Sequence, residues 1–340
     1  MPNLGDEMTI PSTKADFLKH DILQFYVNRI GEYSFDLSRN MHLDQRSARF
    51  LNETAPLEEL MEVDLNRGFD TFVDKKYGEG HIDVILEWLE KKYPKGGRLK
   101  DLLKVDIVCF RGTLSRIGQS PYCKDAFGFH AIRNRDIIFL LEIKEYTDYD
   151  IATYRGYKFE QLMTVSDKGR PSTIFEPINR NEEYSVVYRS HLYGPAGNRI
   201  GLCYSAETDA MDNRENLLEF KVINSPVLDE QLFNVKAKRW WMQSYLTTVK
   251  KFYVGHRTEK GRLEKISTIT LDALARKSDL RPNVCRAVLY EVLSRVMELL
   301  VDDGDTCTVT RAKGSESPIR IKCPGDGGDF LNYKLLKNFY

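Results

Sequence analysis

Four short segments hold side chains that could do chemistry together. They are Gly156-Tyr157-Lys158-Phe159-Glu160, Glu207-Thr208-Asp209 after the apolar run RIGLCYSA, Glu219-Phe220-Lys221 inside LLEFKV, and Gln243 within KRWWMQSYL. The third is the most informative. In a strand, alternate side chains share a face. Leu218, Phe220 and Val222 are then expected to point into a core, with Glu219 and Lys221 facing the other way, about 6–7 Å apart along the backbone. A carboxylate beside an ammonium suits metal-assisted phosphodiester cleavage. The acid holds the metal, and the amine orients or deprotonates the attacking water or neutralises charge developing at phosphorus.

Glu207 and Asp209 repeat that spacing with two acids. Gathered carboxylates repel one another, by about 4 kcal/mol for two charges 4 Å apart at an effective dielectric near 20. A divalent cation removes the penalty, and hard oxygen ligands select Mg2+ or Mn2+ over Zn2+. With Glu160 there are enough acids for two ions about 3.5–4 Å apart. Taken singly, each motif has a more ordinary reading. E-x-K is commonly a solvated strand face, E-x-D a turn, and an exposed acid–base pair contributes little. The ordered set, each member placed against an apolar strand or helix, is what favours a site.

The surrounding pattern supplies elements to carry these residues. Ile82, Ile85, Leu86 and Leu89 predict a helix from Ile82 to about Lys92, ended by Pro94 and Gly96-Gly97. Val105–Phe110 reads as a strand running into Arg111-Gly112, and Ala126–Ile132 with Asp136–Ile143 as a hairpin. A helix is predicted over Tyr149–Thr164, with Tyr154, Tyr157 and Gln161 on one side and Gly156 weakening it. Strands are expected at Tyr184–Leu192, Arg199–Ala206, Leu217–Val222, Lys251–Gly255 and Ile266–Thr270, with a helix over about Glu230–Thr248. Pro282 opens a long helix with an apolar face from Val284 to Leu299, and Cys307–Arg311 with Ile319–Cys323 make a last hairpin. Residues 1–75 read as irregular with short pieces of structure. Strands and helices mix without strict βαβ alternation, and no long linker divides the chain, which favours one α+β, mixed-sheet domain over residues 1–340.

Lys plus Arg and Asp plus Glu number 50 each, so no net charge draws the chain to polyanions, and nucleic-acid binding would need a local basic patch beside acids. The six cysteines form no C-x-x-C pair, which argues against a zinc site and suits reduced, buried thiols in a reducing compartment. No signal peptide is read at the start, and the apolar runs are too short and too charged to span a membrane. The six histidines are scattered and read as structural or surface groups. Trp240 and Trp241 read as helix core rather than base platforms. Lys236-Ala237-Lys238-Arg239 is either an RNA path or a solvated helix face.

These motifs, in this order, resemble the DXO (Dom3Z) decapping exoribonuclease family. Its pattern is an Arg-Gly after a strand, then G-φ-x-φ-E, E-x-D, E-φ-K and a helical Gln, where φ is apolar. Here those are Phe110-Arg111-Gly112, Gly156 to Glu160, Glu207 to Asp209, Glu219 to Lys221, and Gln243. EYSFDLSR, RGTLSRIGQSPY, RGYKFEQ, WWMQSYL and YVGHR extend the similarity from about residue 30 to residue 260.

The resemblance implies two mixed, twisted sheets flanked by helices around a D-(D/E)-x-K nuclease core. It implies Mg2+ or Mn2+, as two ions, on Glu160, Glu207, Asp209, Glu219 and the Phe220 carbonyl. Glu160, Glu207, Asp209, Glu219, Lys221 and Gln243 would be catalytic. Lys221 and Gln243 would contact the scissile phosphate or the water, and Arg111, with the backbone at Gly112, would grip RNA phosphate. Arg39 would hold a phosphate further along the strand. The implied activity removes triphosphate, incompletely methylated caps or NAD caps from single-stranded RNA 5′ ends, with 5′→3′ degradation following.

Departures bear on substrate choice. Phe110 replaces a common Trp that stacks a base, Ser185 stands where relatives carry a substrate-contacting Cys, and Ala206 replaces a Gly before E-x-D. An acidic contact near residue 80 falls on Glu79 or Gly80, and Thr247–Lys250 replaces a Gly- and Pro-containing turn. Nuclear or cytoplasmic placement and a monomeric state are expected, the nucleus from the resemblance alone. A second reading is a non-catalytic partner that binds and stabilises a larger 5′→3′ exoribonuclease, against which the complete acid set argues. A D-(D/E)-x-K enzyme acting on DNA is the third.

Overall fold

Along the long strands, side chains alternate between two apolar layers. In Ile107–Phe110, Ile107 and Cys109 enter one core and Val108 the other. In Arg199–Glu207, Ile200, Leu202, Tyr204 and Ala206 face the first core and Cys203 the second. A sheet covered on both faces needs this two-sided apolar pattern. The computed structural model describes residues 7–19, 24–53, 57–75, 82–93, 95–143, 150–166, 175–224 and 230–340.

Among these residues ten strands form the large mixed sheet. Their order is Met8–Ile10, Ile319–Lys322, Thr306–Arg311, Phe127–Asn134, Ile137–Glu142, Ile107–Phe110, Arg199–Glu207, Glu183–Tyr193, Phe25–Phe35 and Met41–His42. Ile107–Phe110 pairs in parallel with both its neighbours; Arg199–Glu207 and Glu183–Tyr193 pair antiparallel. The helices Arg111–Gln119 and Pro282–Leu299 pack on one face, and Ile82–Lys92 packs on the other.

The smaller sheet runs Leu263–Thr270, Lys251–Arg257, Leu217–Ile223, Ala210–Met211, Phe50–Leu51, Thr164–Val165. The helix Ile151–Met163 packs against Leu217–Ile223, and a third core of Leu65, Phe159, Leu162, Met163, Ala210, Phe220 and Leu263 fills the space. Glu230–Tyr245 is the crossover between the parallel strands Leu217–Ile223 and Lys251–Arg257.

One expectation needs correction, and one element near the site was not read. Residues 1–75 contain an eleven-residue strand, Phe25–Phe35. Its register with Glu183–Tyr193 slips between Arg29 and Gly31, and that bulge breaks the period-two pattern a strand would show. Gly31 is required there, because a Cβ would stand 2.4 Å from the Trp88 indole. Beyond Phe110 the chain turns into a helix, Arg111–Gln119, which the glycines and hydroxyls of RGTLSRIGQ do not advertise. The helices Leu99–Leu103, Leu271–Lys277 and Tyr333–Leu336 were likewise not read from the sequence, while the strands and helices that were expected beyond residue 75 form with ends shifted by a few residues. Pro94, the helix-start residue Tyr149 and the pair Glu79/Gly80 lie outside the described residues. No helix among them is long and apolar enough to cross a membrane.

Candidate active site

The E-x-D motif marks the step from one sheet to the other. Glu207 is the last residue of Arg199–Glu207 in the large sheet, and Ala210 begins the short strand of the small one. Thr208 N–H donates to Tyr184 O at 3.0 Å, which fixes the turn. Asp209 accepts a 2.8 Å bond from Phe220 N–H, so the residue after Glu219 holds it in place. Glu219 sits mid-strand and is buried, with 4% exposure. Glu160 comes in from the packed helix, three residues after Tyr157. Glu160, Glu207 and Asp209 line one cleft of about 450 Å3.

Among the described residues, no group of three or more His, Cys, Asp or Glu is closed around a point as a metal's ligands would be. Cations of the chain itself hold two of the acids. Lys221 Nζ bonds Glu219, and Arg111 Nη1 lies 4.0 Å from Glu219 Oε2. Lys75 Nζ meets Glu207 at 2.6 Å and Glu183 at 2.9 Å. Arg180 Nη2 lies 2.9 Å from both Glu207 carboxylate oxygens.

The charges follow this division. Burial would raise the Glu207 carboxyl, but Lys75 and Arg180 outweigh it and hold it well below the usual carboxylate range. Glu219 is likewise buried, and Lys221 and Arg111 bring it below its ordinary value. At Glu160 the pull of Arg180 is too small: burial, then Asp209 and Glu207, push it far up. Burial and the Glu219 charge lift Asp209 to about 7. Lys221 rises despite burial, because Glu219 and Asp209 favour its ammonium form, so it stands as a fixed cation. Two half-buried acids pushed up by desolvation and by their neighbours form an oxygen-donor set whose repulsion a divalent cation would relieve, so the chemistry of the residues present fits such an ion.

The other candidates surround this centre. Arg39, Phe110, Arg111, Gly112, Ser185 and Glu207 line an adjoining recess. Arg39 has a left-handed backbone, φ 65°, rare for a side chain larger than glycine. Its guanidinium stacks 3.8 Å over the Phe35 ring and bonds Asn181 O and Glu183, each at 3.1 Å. Ser185 donates to Glu183 at 3.1 Å. Gln243 faces Arg111 and Gly112 across a further cavity of about 490 Å3. Gly156, by contrast, has nothing within 4 Å of where a Cβ would stand, so no close approach requires it here.

Sequence reading missed Lys75, Arg180 and Glu183. A backbone bridge between Val73 and Asn179, with Val73 N–H donating to Ile178 O and Arg180 N–H to Val73 O, brings the first two onto Glu207. No periodic signal marks such loops. Trp240 and Trp241 are buried as core; His42 bonds Asp36, His130 bonds Thr308 and His256 bonds Ser267, while His20 and His81 lie outside the described residues. Of the basic run, Lys238 pairs with Asp279, while Arg239 pairs with Asp125 at the mouth of the Gln243 cavity.

A family model described as "RAI1 like PD-(D/E)XK nuclease" matches residues 27–333. The chain is 30% identical over 330 residues to the decapping nuclease dom-3 of Caenorhabditis elegans, covering 91% of this chain and 84% of that one. It is 27% identical over 319 residues to the decapping and exoribonuclease protein Rai1 of Drosophila melanogaster, covering 83% and 82%. Among solved structures, Candida albicans Rai1 in complex with pU5 and Mn2+ superposes with a TM-score of 0.76 at 14% identity, covering 98% of each chain.

Proposed function

The chain belongs to the RAI1-like PD-(D/E)XK nuclease family, and from that premise we propose that it hydrolyses RNA 5′ ends, removing a cap or terminal phosphates and then degrading 5′→3′. The observation that carries this reading is the cleft lined by Glu160, Glu207 and Asp209, with Asp209 tied to the backbone of the strand on which Glu219 pairs with Lys221 and Arg111. Relatives named as decapping nucleases and exoribonucleases, and the RNA and manganese in the Candida albicans complex, support it. Residues 1–340 are taken as one domain and as a monomer, working in the nucleus or cytoplasm.

Glu160, Glu207, Asp209, Glu219 and the Phe220 carbonyl would hold divalent metal, Mg2+ or Mn2+ as two ions. When bound, the metal would supply Lewis-acid stabilisation of charge on the phosphoryl oxygens. The chain's own groups do the rest. Arg111 would neutralise and orient the scissile phosphate, with Gly112 allowing close backbone approach. The Lys221 ammonium, tethered to Glu219, would face the charge that builds at phosphorus. The Gln243 amide would orient the phosphate or the water. Phe110 and Ser185 would contact the leaving 5′ group, and Arg39 a phosphate further along. Each activity is water attack at phosphorus, and the register of the RNA decides which bond breaks.

The test presents triphosphate, monophosphate, unmethylated-cap, methylated-cap and NAD-capped RNAs with Mg2+ or Mn2+, beside matched DNA, and identifies each product. At least one RNA 5′ end is hydrolysed, and Glu219→Gln lowers the rate at least about a thousandfold while the fold persists. Full activity in that variant would remove the site assignment, and a preference for DNA would remove the RNA assignment.

A further inference from the structure

The helix Arg111–Gln119 turns one stripe of side chains into the 490 Å3 cavity. Arg111, Ser115 and Gln119 recur every four residues and so share a helix face. Gln243 looks back at them from Glu230–Tyr245. Ser115 is 3% exposed and Gln119 8%, yet Ser115 Oγ and Gln119 Oε1 have no hydrogen-bond partner among the described residues. Leaving buried polar atoms unpaired is costly, and where the cost is retained a ligand is one thing that can repay it.

The charges around the cavity narrow the ligand. Arg116 is bonded to Glu142, and Arg239 to Asp125, so both rim cations already have carboxylate partners. What remains inside is a neutral hydrogen-bonding wall of a hydroxyl and two amides, with the Arg111 guanidinium at one end. The volume lies within the range of small-ligand pockets, about 300–1,000 Å3. A neutral polar group joined to an anion fits this arrangement. A nucleoside carrying a phosphate is such a group, since amide side chains can pair with the polar edges of an unstacked base.

We propose that this cavity is a nucleoside pocket: it receives the base and ribose attached to the phosphate held at Arg111, and Ser115 and Gln119 hydrogen-bond the base. The proposal deepens the RNA 5′-end reading and rests on it. It makes Ser115 and Gln119 specificity-determining residues, distinct from the groups that act at phosphorus.

The experiment measures binding of adenosine, guanosine, cytidine and uridine 5′-monophosphates, and of ribose 5-phosphate, to the full chain by calorimetry, alongside RNA 5′-end hydrolysis. At least one nucleotide binds about tenfold more tightly than ribose 5-phosphate, and in Gln119→Met that ratio falls close to one. Ser115→Ala, which removes only a hydroxyl, lowers it about threefold and carries the test should Gln119→Met melt early. Nucleotides binding no better than ribose 5-phosphate, or a ratio untouched in a folded variant, overturn the pocket even while hydrolysis continues. Base-dependent binding that is lost in the variants, in a protein that cleaves no RNA 5′ end, supports the pocket and overturns the hydrolase reading instead.

Discussion

Glu207 and Asp209 are two residues apart and have opposite electrostatic fates. On the large-sheet side, Glu207 is clasped by Lys75 and Arg180, and a chain of pairs continues through Glu183 to Arg39. On the small-sheet side, Asp209 receives one backbone N–H, and Glu160 faces mainly other carboxylates. Glu207 carries its own counter-charge, as does Glu219 with Lys221 and Arg111, whereas at Asp209 and Glu160 burial and neighbouring carboxylates outweigh the cations nearby. A carboxylate taken out of water without enough counter-charge holds its proton tightly or calls for a cation. The structure thus divides the acids into a set balanced by the protein and a set that calls for an ion from outside.

The strongest way to break this comparison is Asp209→Asn in metal-free protein. A raised carboxyl keeps its proton in the folded state at pH values where the unfolded chain has released it. The unfolded state then binds fewer protons, and stability falls as pH rises from about 4 to about 7. The folded value of about 7 against an ordinary 3.8 implies an effect on the order of 4 kcal/mol. The variant should flatten that slope in denaturant melts with chelator and be the more stable protein above pH 7. An unchanged slope would mean Asp209 is compensated after all.

Lys75→Met attacks the other side. It removes an ammonium buried between Glu183 and Glu207. Breaking a buried pair leaves a charge uncompensated, but Glu207 keeps 36% exposure and its bond to Arg180, so about 2 kcal/mol of stability should go. A loss as small as that of an exposed pair would show that Arg180 alone suffices. Arg39→Lys, the mildest change, exchanges a stacked fork for a point charge while Lys75 still covers Glu183; about 0.5 kcal/mol is expected in the same melts.

How much of this was legible follows the same division. The acids lie on or beside strands and a helix whose apolar periodicity is plain, so Glu160, Glu207, Asp209, Glu219 and Lys221 could be placed together from pattern and motif order. The clasping cations sit on loops, where contacts are set by long-range closure and leave no period to read. The long strand Phe25–Phe35 was hidden by its bulge at Gly31, which interrupts alternation. The helix Arg111–Gln119 was hidden by residues of poor intrinsic propensity that tertiary packing overrides, among them Gly118, pressed so closely on Met242 that a Cβ would lie 2.3 Å from its Cε.

The bridge between Val73 and Asn179 is small, a pairing of two loop segments outside both named sheets. Each segment is held further by its own side chains, Lys75 by Glu183 and Arg180 by stacking 3.9 Å over the Tyr157 ring. The charge balance at Glu207 is therefore set by two loops distant in sequence from the strand that carries it, and it is complete only where both cations reach the carboxylate.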